Sequence, residues 1–256
     1  MRSPMPPTRS AADPRRLLLI LAVVVAAILS GQHLRGMPPG PGLVSQVASS
    51  AAPEREPRPS PALRQAVTAG TSGRFAYATG RGRVVGSRGP IRRYKVAVER
   101  PAGAATITGF ADDVDRTLAD RRSWIAGRQF RLQRVPQRAY AEFTVFLASA
   151  RTSERMCRTG GLETAGFTSC RLPRQVIIND SRWRGAVPRY GASLATYRAY
   201  AINHEVGHQL GHGHETCPGR GRPAPVMMQQ TYGLKGCTAN AWPFPGGRRY
   251  TGPPVP

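Results

Sequence analysis

At 256 residues the chain has room for one domain of ordinary size plus extensions. Its formal charge of +23 comes from 37 basic residues against 14 acidic ones, and lysine occurs only at Lys95 and Lys235. Arginines scattered along the chain, without interleaved aromatics, argue against a specific nucleic-acid partner and leave a looser attraction to anionic polymers or lipid headgroups. Residues 17–29 are apolar without interruption and follow Arg9, Arg15 and Arg16, the pattern of an export signal. As a helix this run spans roughly 20 Å, short of the roughly 30 Å of hydrocarbon in a bilayer, which favours a signal peptide. No Ala-x-Ala follows at once, so an uncleaved signal anchor with its charged end inside stays open. Residues 1–30 are thus a tail and signal segment, and either reading places the remaining chain outside the cytoplasm, secreted or membrane-anchored. Residues 31–72, rich in Pro, Ala, Ser and Gly, bury too little to order themselves and read as a spacer.

From residue 73 to 256 short apolar segments alternate with loops, the texture of a folded domain. Residues 94–99 alternate as a half-buried strand. A helix is predicted over 111–124, beginning near Asp112, with Val114, Leu118 and Arg121 on one face. Residues 130–135, 142–147 and 175–179 are further strands, and a second long helix runs from 194 to about 210. The expected fold is α+β, a twisted mixed sheet with two main helices and an irregular C-terminal part beyond residue 215. Cys157 and Cys170 flank a Gly-containing loop, and Cys217 and Cys237 bracket a later segment. Pairing neighbours in sequence gives two disulfides, although two other pairings are formally possible. No C-x-x-C spacing offers a zinc cluster instead.

The second long helix carries Asn203-His204-Glu205-Val206-Gly207-His208-Gln209-Leu210-Gly211-His212-Gly213-His214. Residues four apart share a helix face, so His204 and His208 can aim two imidazoles at one metal ion. Glu205 lies beside them, placed to take a proton from a metal-bound water whose pKa the ion lowers to roughly 7. Gly211 can take the left-handed conformation that ends a helix, turning the chain so that His214 reaches the same ion. His212 could compete, but His204, His208 and His212 would lie in line along one face, and three ligands in a row cannot surround a tetrahedral ion.

The spacing His-Glu-x-x-His-x-x-Gly-x-x-His resembles the zinc signature of metzincin metalloproteases. That resemblance implies a methionine turn beneath the metal, for which Met227 is the candidate and Met228 the alternative within Ala224-Pro225-Val226-Met227-Met228. It further implies a zincin-like fold, Zn2+ held by His204, His208 and His214 with Glu205 as general base, and a peptide or protein substrate. Arg122-Ser123-Trp124, Ile178-Asn179, Arg182-Trp183, Tyr197 with Tyr200, and Pro225-Val226-Met227 look like an uncharacterised family of exported bacterial metzincin-like domains. Glu215 is similar to the glutamate that closes the astacin motif, or else is an exposed acid. Tyr232 is a candidate to approach the metal, Tyr197, Tyr200, Trp183 and Trp242 read as core, and Asn203 reads as a polar surface residue or, alternatively, a support for the site from its side. The substrate-selecting wall is expected in loops around 219–245. Two other classes use the same residues: a zinc amidase or esterase acting on cell-wall material, and a zinc-stabilised surface module without turnover.

Overall fold

In the computed structural model, which describes residues 72–255, the alternating run around Tyr94 is part of a nine-residue strand at the centre of a single sheet. The elements in chain order are β1 (Phe75–Tyr77), β2 (Ile91–Glu99), α1 (Ala104–Ala119), β3 (Arg131–Arg134), β4 (Phe143–Ala148), α2 (Ala150–Arg158), β5 (Cys170–Leu172), β6 (Gln175–Asn179), α3 (Asp180–Gly185) and α4 (Leu194–Gln209). The strand order is β1-β2-β4-β6-β5, with β3 also paired to β2. Strands β2, β3, β4 and β6 run parallel, while β1 and β5 are antiparallel edges. This is the mixed sheet of an α+β domain.

The period-2 side-chain alternation divides the core in two. Tyr94, Val96, Val98, Phe143, Val145, Leu147, Val176 and Ile178 belong to the large cluster shared with α1 and α4. Phe146, Ala148 and Ile177 point the other way and pack with Cys157 of α2, Cys170 and Leu172. Both faces are covered, which is why β2 and β6 end in runs of buried residues instead of strict alternation.

Helix α1 begins at Ala104, seven residues before the predicted start, and stops at Ala119. Its apolar face is Phe110, Ala111, Val114 and Leu118; Arg121 lies beyond the helix and is exposed. The early turns hold Thr106, Thr108 and Gly109, poor helix formers that packing overrides. There are four α-helices among the described residues, not two. Helix α2 escapes sequence reading because its buried side chains are Thr152, Ser153 and Cys157, so no apolar stripe marks it. Beyond Glu215 the only helical turn described is a 3-10 turn at Gln230–Tyr232. No helix among the described residues is long and apolar enough to cross a membrane. Residues 17–29 and nearly all of the spacer lie outside them.

The cysteines pair as sequence neighbours, Cys157 with Cys170 and Cys217 with Cys237. Two disulfides suit an extracytoplasmic location.

Candidate metal centre

Helix α4 starts where the Ser193 hydroxyl accepts a hydrogen bond from the Thr196 N–H at 3.1 Å. It runs through the core, buried almost continuously from Ala199 to Gly207. It ends at Gly211, whose φ of +95° is left-handed. There the His212 N–H donates to the Gly207 carbonyl at 3.0 Å and the Gly211 N–H to that of His208 at 3.1 Å. These paired bonds close the helix and reverse the chain. The next residues carry His214 back over the helix end.

The reversal brings three imidazoles together. His208 Nε2 lies 3.2 Å from His204 Nε2 and 3.0 Å from His214 Nε2. The other ring nitrogen of two of them is fixed by backbone: His204 Nδ1 donates to the Val226 carbonyl and His208 Nδ1 to the His212 carbonyl, each at 2.8 Å. Such bonds leave Nε2 as the free lone pair. Burial lowers the pKa of His204 to about 3, with the neighbouring His208 adding to the shift, and burial likewise takes His208 down to about 4. His214 shifts in the same direction for the same reason. All three are therefore neutral near pH 7, the state a metal ligand needs.

Glu205 is buried and its carboxylate opens on the same cavity. Loss of solvent alone raises its pKa to about 8. His212 also lines the cavity but is not one of the three that converge: its ring stacks on Trp124 at 4.3 Å between centroids, and its carbonyl orients His208.

Beneath the helix the Pro225-to-Met228 turn closes with a bond from the Met228 N–H to the Pro225 carbonyl. Met227 is fully buried against α4. A Cβ at Gly207 would come within 2.4 Å of Met227 Sδ and 2.6 Å of a Trp124 ring carbon. The glycine is what lets the turn sit so close. Met228 packs elsewhere, with Ala224, Cys217 and Cys237, and its carbonyl accepts from the Tyr200 hydroxyl.

The cavity over the histidines has a volume of about 610 Å³. Its outer wall is not where the sequence put it. Within 219–245 only Gln229, Thr231 and Tyr232 line it, and the larger share comes from 161–164 and 168–171. That wall is tied down at two points. The Cys157–Cys170 bridge closes its base, and the Glu154 carboxylate accepts from the Thr164 and Gly166 N–H groups and the Thr164 hydroxyl. Those bonds hold the Glu154 pKa down to about 2. Tyr232 lines the cavity but is 52% exposed.

Several residues support the site from behind, and for two of them the structure decides between the alternatives that the sequence offered. Asn203 is fully buried, not a surface residue: its side chain accepts from the Ser123 hydroxyl and donates to the Ala241 carbonyl. Trp124 donates from its indole to the Asn203 carbonyl at 2.8 Å. Glu215 is no exposed acid, since it pairs with Arg249 at 2.8 Å. The Arg249 guanidinium lies over the Trp124 ring, which in turn carries His212. A Ser-Trp pair or an Asn before a histidine has no local signal for these roles, because they are made across about 80 residues of chain.

Fold and site together define a mixed α+β domain in which three histidines, one buried and two half-buried, converge with a buried glutamate at one cavity. The chain belongs to the family described as "Protein of unknown function (DUF3152)", which it matches over residues 63–239. No curated protein and no solved structure matches it.

Proposed function

We propose that the chain is a zinc-dependent peptidase of metzincin type acting outside the cytoplasm, with a zincin-like fold in which α4 bears the ligands and Met227 forms the turn beneath them. The observation that carries this reading is the convergence of the Nε2 atoms of His204, His208 and His214 beside Glu205. Because their Nδ1 atoms are bonded to carbonyls, His204 and His208 face each other at 3.2 Å as two lone pairs. That contact is repulsive unless a cation lies between them. A tetrahedral ion with bonds of ~2.1 Å to nitrogen spaces its ligands about 3.4 Å apart, close to the 3.0 and 3.2 Å found here. Among the described residues the trio has no fourth side-chain partner, the donor set of a catalytic site and not of a structural one.

When bound there, zinc supplies Lewis acidity that polarises a scissile carbonyl and acidifies water. His204, His208 and His214 hold it, each oriented through backbone or packing as described. The Glu205 carboxylate takes the proton of the attacking water and gives it to the leaving amine nitrogen. The three imidazoles are neutral, so only a cation held by them would favour the ionised carboxylate that this requires, against the burial that opposes it. A cavity of about 610 Å³ holds a peptide segment of several side chains.

Metal analysis of the purified chain and a peptide-library digest test this. One zinc per chain is expected, with cleavage lost roughly 10²–10⁴-fold in Glu205→Gln at unchanged zinc content. Absence of zinc, or undiminished cleavage by the variant, overturns the reading. Hydrolysis of muropeptides with no cleavage anywhere in the library would move it to a cell-wall amidase.

A further inference from the structure

The far edge of the sheet carries a concentration of charge that the metal centre does not use. Residues 79–93 run alongside β3, held by the Gly82 N–H on the Arg134 carbonyl and by a reciprocal pair of bonds between Val85 and Leu132. Gly86 and Gly89 permit the close approach; a Cβ at Gly89 would sit 2.1 Å from the Gln129 carbonyl oxygen. This ribbon and the strand edge it covers present Arg81, Arg83, Arg88, Arg92, Arg128 and Arg131. Among the described residues none of the six makes a salt bridge. The carboxylates nearby are engaged or set to one side. Asp115 binds Arg134 and the Tyr94 hydroxyl, Glu142 accepts from the Arg93 N–H across β2, and Asp112 lies on α1 beside Thr79 and Arg134.

Between Arg83 and Arg88 the ribbon exposes an aliphatic side chain, Val84, at 40%. The exposed large aromatics among the described residues are Tyr140 and Tyr232, neither of them on the ribbon. Single-stranded nucleic acid is held by aromatic stacking platforms, which this surface lacks. Bilayer interfaces are met instead by an apolar side chain ringed by cations. The two disulfides suit a compartment outside the cytoplasm, where lipid headgroups are a resident polyanion. The cavity opens at the other edge, where Cys170 and Arg171 of β5 line it. Four strand spacings, roughly 19 Å, separate β3 from β5.

We propose that the Arg81–Arg92 ribbon with Arg128 and Arg131 is a docking surface for an anionic lipid bilayer, with Val84 entering the headgroup layer and the cavity held away from it. This does not depend on the metal reading. Hydrogen exchange of the full chain on vesicles tests it locally, so that residues 17–29 do not obscure the outcome. On phosphatidylglycerol vesicles, amides 83–89 are expected to exchange on the order of five-fold or more slowly than on phosphatidylcholine. R81E/R83E/R88E/R92E is expected to abolish that difference while the amides of β4 and β6 stay protected. Equal exchange on the two vesicles, or a difference that survives the four substitutions, overturns the proposal. Protection of the same amides by an oligonucleotide but not by the anionic vesicles overturns it in favour of nucleic acid.

Discussion

The sheet and the segment after Glu215 bury their backbones by opposite means. In the sheet, main-chain ladders do it, and side chains such as Val145 and Ile178 only fill space. In the C-terminal segment, scattered main-chain bonds and isolated bridges stand in place of a continuous ladder, and two buried amide side chains tie them together. Gln230, fully buried, accepts from the Tyr190 hydroxyl and the Asn240 N–H and donates to the Pro225 and Asn240 carbonyls. Asn240 donates to the Ala224 and Trp242 carbonyls and accepts from the Trp242 N–H. A ladder spreads its cost over many weak members, whereas this arrangement concentrates it on a few. The floor of the candidate metal centre rests on the concentrated kind.

The comparison breaks most sharply at Gln230. Gln230→Leu strands three partners, the Tyr190 hydroxyl and the Asn240 N–H and carbonyl, while the Pro225 carbonyl keeps its bond from the Met228 N–H; each buried unsatisfied group costs about 1–3 kcal/mol. A loss of about 3–5 kcal/mol is expected by denaturant unfolding, exceeding that of Val145→Ala in the sheet. A smaller loss for Gln230→Leu than for Val145→Ala would show the amide network to be dispensable.

Removing either disulfide, by paired Cys→Ser changes, is expected to cost roughly 3 kcal/mol, since the closed loops are of similar length, with sequence separations of 13 and 20. The consequences differ. Loss of Cys157–Cys170 frees the cavity wall and should raise KM with zinc retained, while loss of Cys217–Cys237 loosens the segment under Met227 and should lower zinc retention in dialysis.

Glu205 adds a pH-dependent comparison in chelated protein. Its folded pKa of about 8 is raised above the usual carboxylate value, so its contribution is fully present at low pH and is lost as pH rises through about 8. Glu205→Gln should therefore stabilise the metal-free fold by a few kcal/mol at pH 9 and by almost nothing at pH 4. The histidines run the other way: with folded values near 3 and 4 for His204 and His208, stability is present above about pH 6.5 and is lost as pH falls. Thermal melts of the two chelated proteins across this range check both signs.

Gly207→Ala gains helix propensity of about 1 kcal/mol but meets Met227 and Trp124, where overpacking costs about 1–3 kcal/mol. A net loss of about 1 kcal/mol with weaker zinc binding is expected. The smallest effect separates two ion pairs. Arg249→Ala, which breaks a largely buried pair and the stack over Trp124, should cost about 1–3 kcal/mol. Arg116→Ala, at 73% exposure, should cost under about 0.5 kcal/mol.

What the sequence disclosed follows the same division. The histidines and Gly211 lie within eleven residues, so helical spacing alone could relate them. Strands β2, β4 and β6 were legible because they are central and five or more residues long, and the short edge strand β3 because Phe130 and Leu132 alternate with polar neighbours. The three-residue edges β1 and β5 carry too few positions for any period to register. Helix α2 hides behind buried Thr152 and Ser153. The cavity wall and the Gln230–Asn240 network were invisible for a different reason: most of their partners lie 2 to 16 residues away across irregular loops, where no helix or strand period relates them, and polar residues in a Pro- and Gly-rich stretch look like any surface loop. Asn203 shows this best, since its burial is decided by Ser123 and Ala241, not by its neighbours in α4.

Near the C terminus the Val255 N–H reaches the His214 carbonyl at 3.0 Å, and the Thr216 N–H reaches that of Pro253 at 2.7 Å. The third imidazole, the one not borne by the helix, is thereby braced by the very last described residues. A protease nibbling inward from that end would leave every histidine in place and still loosen His214 from the other two, so intact mass, more than yield or solubility, is the quality check that preparations of this protein need.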